Sequence, residues 1–225
     1  MKLLLRRRKF LGILIVSWAT LSCQGLTAGL SQNSSPKPQN TNSSALDSTP
    51  QKPPEQLWSI LRQSKGNSHA ILFRHAIAPG GGDPPEFQLN DCSTQRNLSE
   101  EGRKQAAKIG QELKRRKIPI AKVLSSQWCR CLETARLMEL GEVQAYPPLN
   151  SFFSDRSRTN EQTTQLLSFL LNNHQERGVT ILVTHQVNIT ALTDIFPQSG
   201  EGIVIEIDRD QQNIKVLGRL SPDLS

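Results

Sequence analysis

Ile71-Leu72-Phe73-Arg74-His75 reads as a buried strand of a parallel sheet with an arginine and a histidine at its carboxyl end. Three apolar residues in a row leave no polar face, as expected of a strand covered on both sides. In open α/β sheets the carboxyl end of a strand is where ligands bind. Val179-Thr180-Ile181-Leu182-Val183-Thr184-His185 repeats the arrangement far downstream. Two strands would therefore deliver two imidazoles to one rim, with Arg74 beside the first.

Working outward, strands alternate with helices. Residues 54–65 open with Pro-Glu and carry Leu57, Trp58, Ile60 and Leu61 on one face, which predicts a helix. Residues 78–95, with three glycines and three prolines, read as a long loop. Asn97-Leu98-Ser99-Glu100-Glu101 starts a helix, with Asn97 or Ser99 as its cap and the acids in its first turn. Strands are expected at 121–125 and 143–146. Helices are expected at 128–140, ended by Gly141, at 162–175, and at 187–195. Ile203, Ile205 and Ile207 alternate before a polar turn and a return at 214–217, the pattern of a hairpin. The alternation predicts α/β class with a largely parallel sheet.

The net charge of +7 is concentrated in the leader. Lys2, Arg6, Arg7, Arg8 and Lys9 account for five of 27 basic residues, and the remaining 22 face 20 acids. A near-neutral domain argues against nucleic-acid binding. Arg6-Arg7-Arg8-Lys9 followed by an apolar run over 10–21 has the form of a signal peptide, 1–23, too short for a spanning helix. Arg7-Arg8-Lys9-Phe10-Leu11 resembles a twin-arginine export signal; an ordinary secretory n-region is the alternative. Thr20-Leu21-Ser22-Cys23 resembles a lipobox, with Cys23 as the lipidation site; a third option is that residues 10–30 stay as an uncleaved anchor. Residues 24–54 are rich in Ser, Asn, Gln, Thr and Pro and are expected to form a disordered linker. The folded domain is then 55–225, exported to the periplasm or another extracytoplasmic space, with membrane attachment through the N-terminus if Cys23 carries lipid. No obligate protein partner is implied.

Four elements in order carry a resemblance: Phe73-Arg74-His75-Ala76; Asn97-Leu98-Ser99-Glu100-Glu101-Gly102; Ser125-Ser126 ahead of Arg130 and Glu133-Thr134-Ala135; and Val183-Thr184-His185. Together they resemble the histidine phosphatase superfamily, which includes phosphoglycerate-mutase-like enzymes, acid phosphatases and protein phosphohistidine phosphatases. The resemblance implies a three-layer phosphoglycerate mutase-like fold, with helices on both faces of the sheet. It also implies that His75 is the nucleophile, that Arg74 and Arg130 bind the phosphoryl oxygens, and that His185 is the second histidine. The chemistry agrees with these roles. A neutral imidazole can attack phosphorus and split hydrolysis into two steps. Arginine's fork of donors suits the equatorial oxygens of the transition state. No metal or cofactor is required. Each of these four residues, taken alone, also has a structural reading.

The departures concern the general acid. Mutase-like relatives place a glutamate in the segment matched by Leu149-Asn150-Ser151-Phe152-Phe153, and acid phosphatases an aspartate where Gln186 stands. Asp83, Glu86, Asp91 and Asp155 remain as candidates. Arg96 could add charge for an anionic substrate, or lie in solvent. His69 and His174 read as structural, and no metal-ligand spacing includes them. In an oxidising compartment Cys92 is expected to bridge Cys129 or Cys131, pinning the long loop to the arginine between them; three inert thiols are the alternative.

The leading function is an exported, metal-independent phosphatase acting on a small phosphomonoester. An envelope substrate is suggested by distant similarity of the Asn90-Asp91-Cys92 loop to heptose phosphatases of the lipopolysaccharide core. The alternatives are a protein phosphohistidine phosphatase and a non-catalytic, membrane-tethered anion-binding module. A mutase fits less well, because its sugar-phosphate substrates are cytoplasmic.

Overall fold

The computed structural model describes residues 51–64, 66, 68–173 and 177–222. The expectations for the leader, most of the linker and His174 lie outside them. Among the described residues six strands form one sheet: β1 (His69–Arg74), β2 (Ile120–Ser125), β3 (Val143–Ala145), β4 (Val179–Thr184), β5 (Gly202–Asp208) and β6 (Asn213–Leu220). Five α-helices among them flank it: α1 (Pro54–Arg62), α2 (Glu100–Arg115), α3 (Cys129–Met138), α4 (Thr159–Asn172) and α5 (Gln186–Thr193). The strand order is β3-β2-β4-β1-β5-β6. The first four strands in that order run parallel, and the β5–β6 hairpin adds two antiparallel strands beside β1.

Side-chain alternation along the strands splits the core in two. Ile71, Phe73, Ile181 and Val183 meet Leu57, Leu61, Ile109, Leu113 and Met138 of α1, α2 and α3 on one face. Ala70, Leu72, Leu182 and Ile203 meet Leu166, Leu170 and Ile189 of α4 and α5 on the other. The result is the expected three-layer sandwich. β4 is buried along its whole length and β1 over its four central residues, which is why both read as continuous apolar runs.

Local differences from expectation have simple causes. Ser99, not Asn97, caps α2, its Oγ accepting from the Gly102 N–H at 3.0 Å. Gly102 sits where a Cβ would lie 2.1 Å from the Ile77 carbonyl oxygen, so only glycine lets α2 approach the chain leaving β1 this closely. α3 ends at a left-handed Glu139 (φ 50°) two residues before Gly141, so the glycine is not the cap. α4 starts at Thr159, three residues early, and α5 begins immediately after His185. The loop at 78–95 is partly organised, by a short 3₁₀ turn at Cys92–Thr94 and a bridge between Gln88 and Asp91.

Candidate active site

β1 and β4 pair in parallel with Arg74 opposite Thr184, so His75 and His185 stand one position beyond the last pair on neighbouring strands. The His75 N–H donates to the Thr184 carbonyl at 2.9 Å. The two imidazole centroids are 5.6 Å apart, in an edge-on arrangement. β2 lies on the other side of β4, and its chain continues through Ser126 into α3, which brings Arg130 to the same rim. Arg74, His75, Arg96, Arg130 and His185 thus line one cleft of about 180 Å³. The structure brings these five residues together. A larger hollow of about 620 Å³ beside Tyr146 and Phe169 has no charged side chain in its lining.

The hydrogen bonds assign the ring nitrogens. His75 Nδ1 lies 2.8 Å from the Ala76 carbonyl, which only accepts, so Nδ1 carries the proton and Nε2 keeps its lone pair. Arg130 donates to His185 Nδ1 at 3.4 Å, so the His185 proton is on Nε2, 2.9 Å from Ser126 Oγ. Ser126 Oγ in turn donates to Asn150 Oδ1 at 3.3 Å. Thr134 Oγ1 accepts from the Ala76 N–H and donates to the Arg130 carbonyl, tying the two arms of the site together. The supporting roles of Ser126 and Asn150 were not legible in the sequence. Ser126 and Asn150 lie 24 residues apart, and only the fold sets the one against the other behind His185.

Charge and burial act in one direction on the histidines. Burial, then the Arg130 guanidinium, hold the His75 pKa down to about 3. His185 is pushed well below its ordinary value by burial, Arg130 and His75. Both rings are neutral at neutral pH, as a nitrogen nucleophile must be. Arg74 donates to the Pro197 carbonyl at 3.0 Å, and Arg74 and Arg130 each keep a buried Nε–H with no acceptor among the described residues. Such donors suit an anion's oxygens. Arg96 sits in the cleft, but its donors hold the Gly82 and Ala78 carbonyls, so it braces the loop and contributes charge.

The acid candidates separate clearly. Asp91 caps the 3₁₀ turn through Ser93 and is exposed. Asp155 caps Arg156–Arg158 through Ser157 and borders a neighbouring cleft. Glu86 is exposed and lines neither cleft. Asp83 alone lines the cleft of the two histidines. Its carboxylate takes two hydrogen bonds from Arg130, at 2.5 and 3.1 Å, and a third from Trp128 Nε1 at 3.0 Å.

Cys92 and Cys129 form the disulfide, with Cα atoms 5.7 Å apart. Cys131 points inward instead, fully buried, its Sγ 3.5 Å from His185 Nε2, and burial pushes its thiol up to about 12. The bridge closes a loop of 37 residues and holds Gln95, whose Oε1 accepts from the Cys129 N–H at 2.9 Å. On the chain-entropy account, replacing both cysteines by serine should cost about 3–4 kcal/mol of stability. Urea denaturation of the two forms measures this. In the denatured, unreduced domain 51–225, mass spectrometry should find one alkylatable thiol.

The buried neutral histidines also set an acid limit. In the unfolded chain they take protons near pH 6.5, whereas folded His75 waits until about pH 3. Below pH 6.5 the unfolded state therefore binds more protons, and stability falls as pH drops. The stabilisation is complete above about pH 6.5 and disappears towards pH 3, by up to about 1.4 kcal/mol per pH unit for each ring. Urea midpoints measured from pH 7.5 to 4.5 should decline along the lower half of that range.

The histidine phosphatase superfamily (branch 1) model matches residues 71–152. No curated protein sequence matches the chain. Among solved structures, the protein histidine phosphatase SixA complexed with tungstate is similar with a TM-score of 0.50 at 16% identity, over 68% of this chain and 97% of that one. The product of open reading frame Rv3214 from Mycobacterium tuberculosis gives 0.50 at 17%, over 68% and 97%. A phosphoserine phosphatase mutant from Entamoeba histolytica, in complex with phosphoserine, gives 0.50 at 14%, over 69% and 98%. These likenesses are of the fold, and they extend over nearly the whole length of each neighbour.

Proposed function

We propose, from the match of the histidine phosphatase superfamily model to residues 71–152, that the folded domain is a member of that superfamily and an exported, metal-independent phosphatase that hydrolyses a small phosphomonoester through a phosphohistidine on His75. The observation that carries the reading is the register of β1 and β4, which sets two neutral imidazoles side by side under the guanidinium groups of Arg74 and Arg130. His75 Nε2 attacks phosphorus in line, and the bond to the leaving oxygen breaks. Water then attacks the phosphohistidine and returns the electron pair to Nε2. Arg74 and Arg130 hold the phosphoryl oxygens, with His185 beside them orienting Arg130, and the two guanidiniums supply positive charge where the transition state develops negative charge.

Export is supported by the basic leader with its apolar run and by the Cys92–Cys129 bridge, a bond that persists in oxidising compartments. Attachment to a membrane through Cys23 is part of the same proposal. A second reading is a protein phosphohistidine phosphatase, favoured by the lack of an acid at 149–153 and at 186. A phosphoramidate needs less help from a proton donor than an alkyl ester does. Phosphate release by the domain 51–225 from alkyl phosphates, p-nitrophenyl phosphate and a phosphohistidine peptide, with and without EDTA, tests both. Turnover of the peptide alone would favour the second reading. Loss of activity in EDTA would replace the metal-independent mechanism. Release of phosphate from none of the probes would leave an anion-binding module.

A further inference from the structure

Beside the cleft of the two histidines lies a second cleft of about 520 Å³, bordered by Pro84, Phe87, Trp128 and Arg158. The two clefts share four lining residues: Gly82, Asp83, Ser151 and Phe153. A phosphoryl group held by Arg74 and Arg130 would place its organic substituent towards this second space, which has aromatic and polar walls. Of the four residues at the junction, only Asp83 carries a titratable group. We propose that Asp83 is the proton donor to the leaving-group oxygen, freed for that role when the substrate's phosphoryl group replaces it on Arg130, and that the substrate is accordingly an alkyl phosphomonoester. The inference rests on the phosphatase reading above and adds its missing acid and its substrate class.

The resting pair explains how one carboxyl serves both states. With Arg130 bound, Asp83 is ionised: burial favours its neutral form, but the hydrogen bonds and charge of Arg130, the Trp128 N–H and the charge of Arg96 outweigh burial. A phosphoryl dianion competes for the same fork of Arg130. Once displaced, the carboxylate loses its strongest partner and faces a new negative charge, and both changes favour taking a proton. The groups around it are Arg130 and Trp128 from the start of α3, Arg96 from the loop, His75 and Arg74 from the end of β1, and His185 from the end of β4. Asp155 and Arg158 border the outer cleft. Asp83 follows Gly80-Gly81-Gly82, where Gly80 and Gly82 have φ of +89° and +68°, and Arg96 holds the Gly82 carbonyl, so the exchange calls for a turn of the Asp83 side chain and not of the loop.

The proton count closes. His75 Nε2 forms the N–P bond as the P–O bond breaks, and the Asp83 proton passes to the departing oxygen, releasing a neutral alcohol. The Asp83 carboxylate then takes a proton from the water that attacks phosphorus. The P–N bond breaks, inorganic phosphate leaves, and Asp83, on rejoining Arg130, gives back to solvent the proton that it took from solvent when the ester displaced it.

The test compares wild type with Asp83→Asn on β-glycerophosphate, whose alkoxide is a poor leaving group, and on p-nitrophenyl phosphate, whose phenolate is a good one. The variant should lose at least about 100-fold in kcat on β-glycerophosphate and under about tenfold on p-nitrophenyl phosphate. Inorganic phosphate should inhibit it several-fold more tightly, because no carboxylate competes for Arg130. Asp83→Glu, which keeps a carboxyl, should recover most of the alkyl-ester activity and covers the case in which the asparagine variant does not fold. Equal losses on the two esters, or no loss on either, would overturn the assignment. A wild type that hydrolyses only the aryl ester would overturn the substrate class. A wild type active on neither would bring down the phosphatase reading, and Asp83's role with it.

Discussion

His75→Ala releases phosphate from p-nitrophenyl phosphate at least about 10⁴-fold more slowly than the wild type, because no other group in the cleft can take its part. His185 has one nitrogen against Ser126 and the other against Arg130. The Cys131 thiol is pushed up to about 12 by burial and stays protonated. A direct attack by water would lack the two-step path. The fold should survive, since β1 is held by its pairing with β4 and β5 and not by the imidazole. Wild-type protein quenched in alkali during turnover should carry phosphate that acid removes, and the variant should carry none. Equal phosphate release by the two proteins would end the enzyme reading.

The second large effect is at Arg130. Arg130→Met should lower activity about 10³-fold, equivalent to about 4 kcal/mol of transition-state stabilisation. It should also lower stability on the order of 2 kcal/mol, because Asp83 would be left partly buried without its cation. The two losses have different origins and can be separated. Adding Asp83→Asn to Arg130→Met removes the stranded charge and should restore much of the stability with no recovery of activity. Denaturant midpoints and phosphate release on the single and double variants read the two quantities independently. Recovery of activity in the double variant would mean that Arg130 acts mainly as a counter-ion for Asp83.

The positions of the two histidines were legible because each ends an apolar run, and a run buried on both faces points to a central strand. Arg130 was legible by its place in an ordered set of motifs. The partner of Arg130 was not. Asp83 lies 47 residues away in a stretch of glycine and proline with no periodicity, and only the folded chain brings the two together. The choice between Cys129 and Cys131 was open for a related reason. It depends on which way the first turn of α3 faces, and that is fixed by packing under His185, not by spacing. The β5–β6 hairpin was visible as alternation, but its place beside β1 was not, since strand order follows from long-range pairing. Glu139 as the left-handed end of α3 departs from the expectation placed on Gly141; the helix stops beside the point where the Met138 backbone lies against Gly110 of α2.

The pairing of Arg74 with Thr184 separates reaction from recognition. The spacing of the two imidazoles is set by backbone rungs deep in the sheet and owes nothing to the length of any connecting segment. Stretches of 78–99 and 146–158 away from Asp83, Cys92, Arg96, Ser99 and Asn150 could be lengthened, shortened or recomposed, changing which alcohol is accepted, while the phosphorus would still meet the same nitrogen at the same angle. A shift of one residue within either strand would instead turn one imidazole to the opposite face and leave every loop intact around an inert centre.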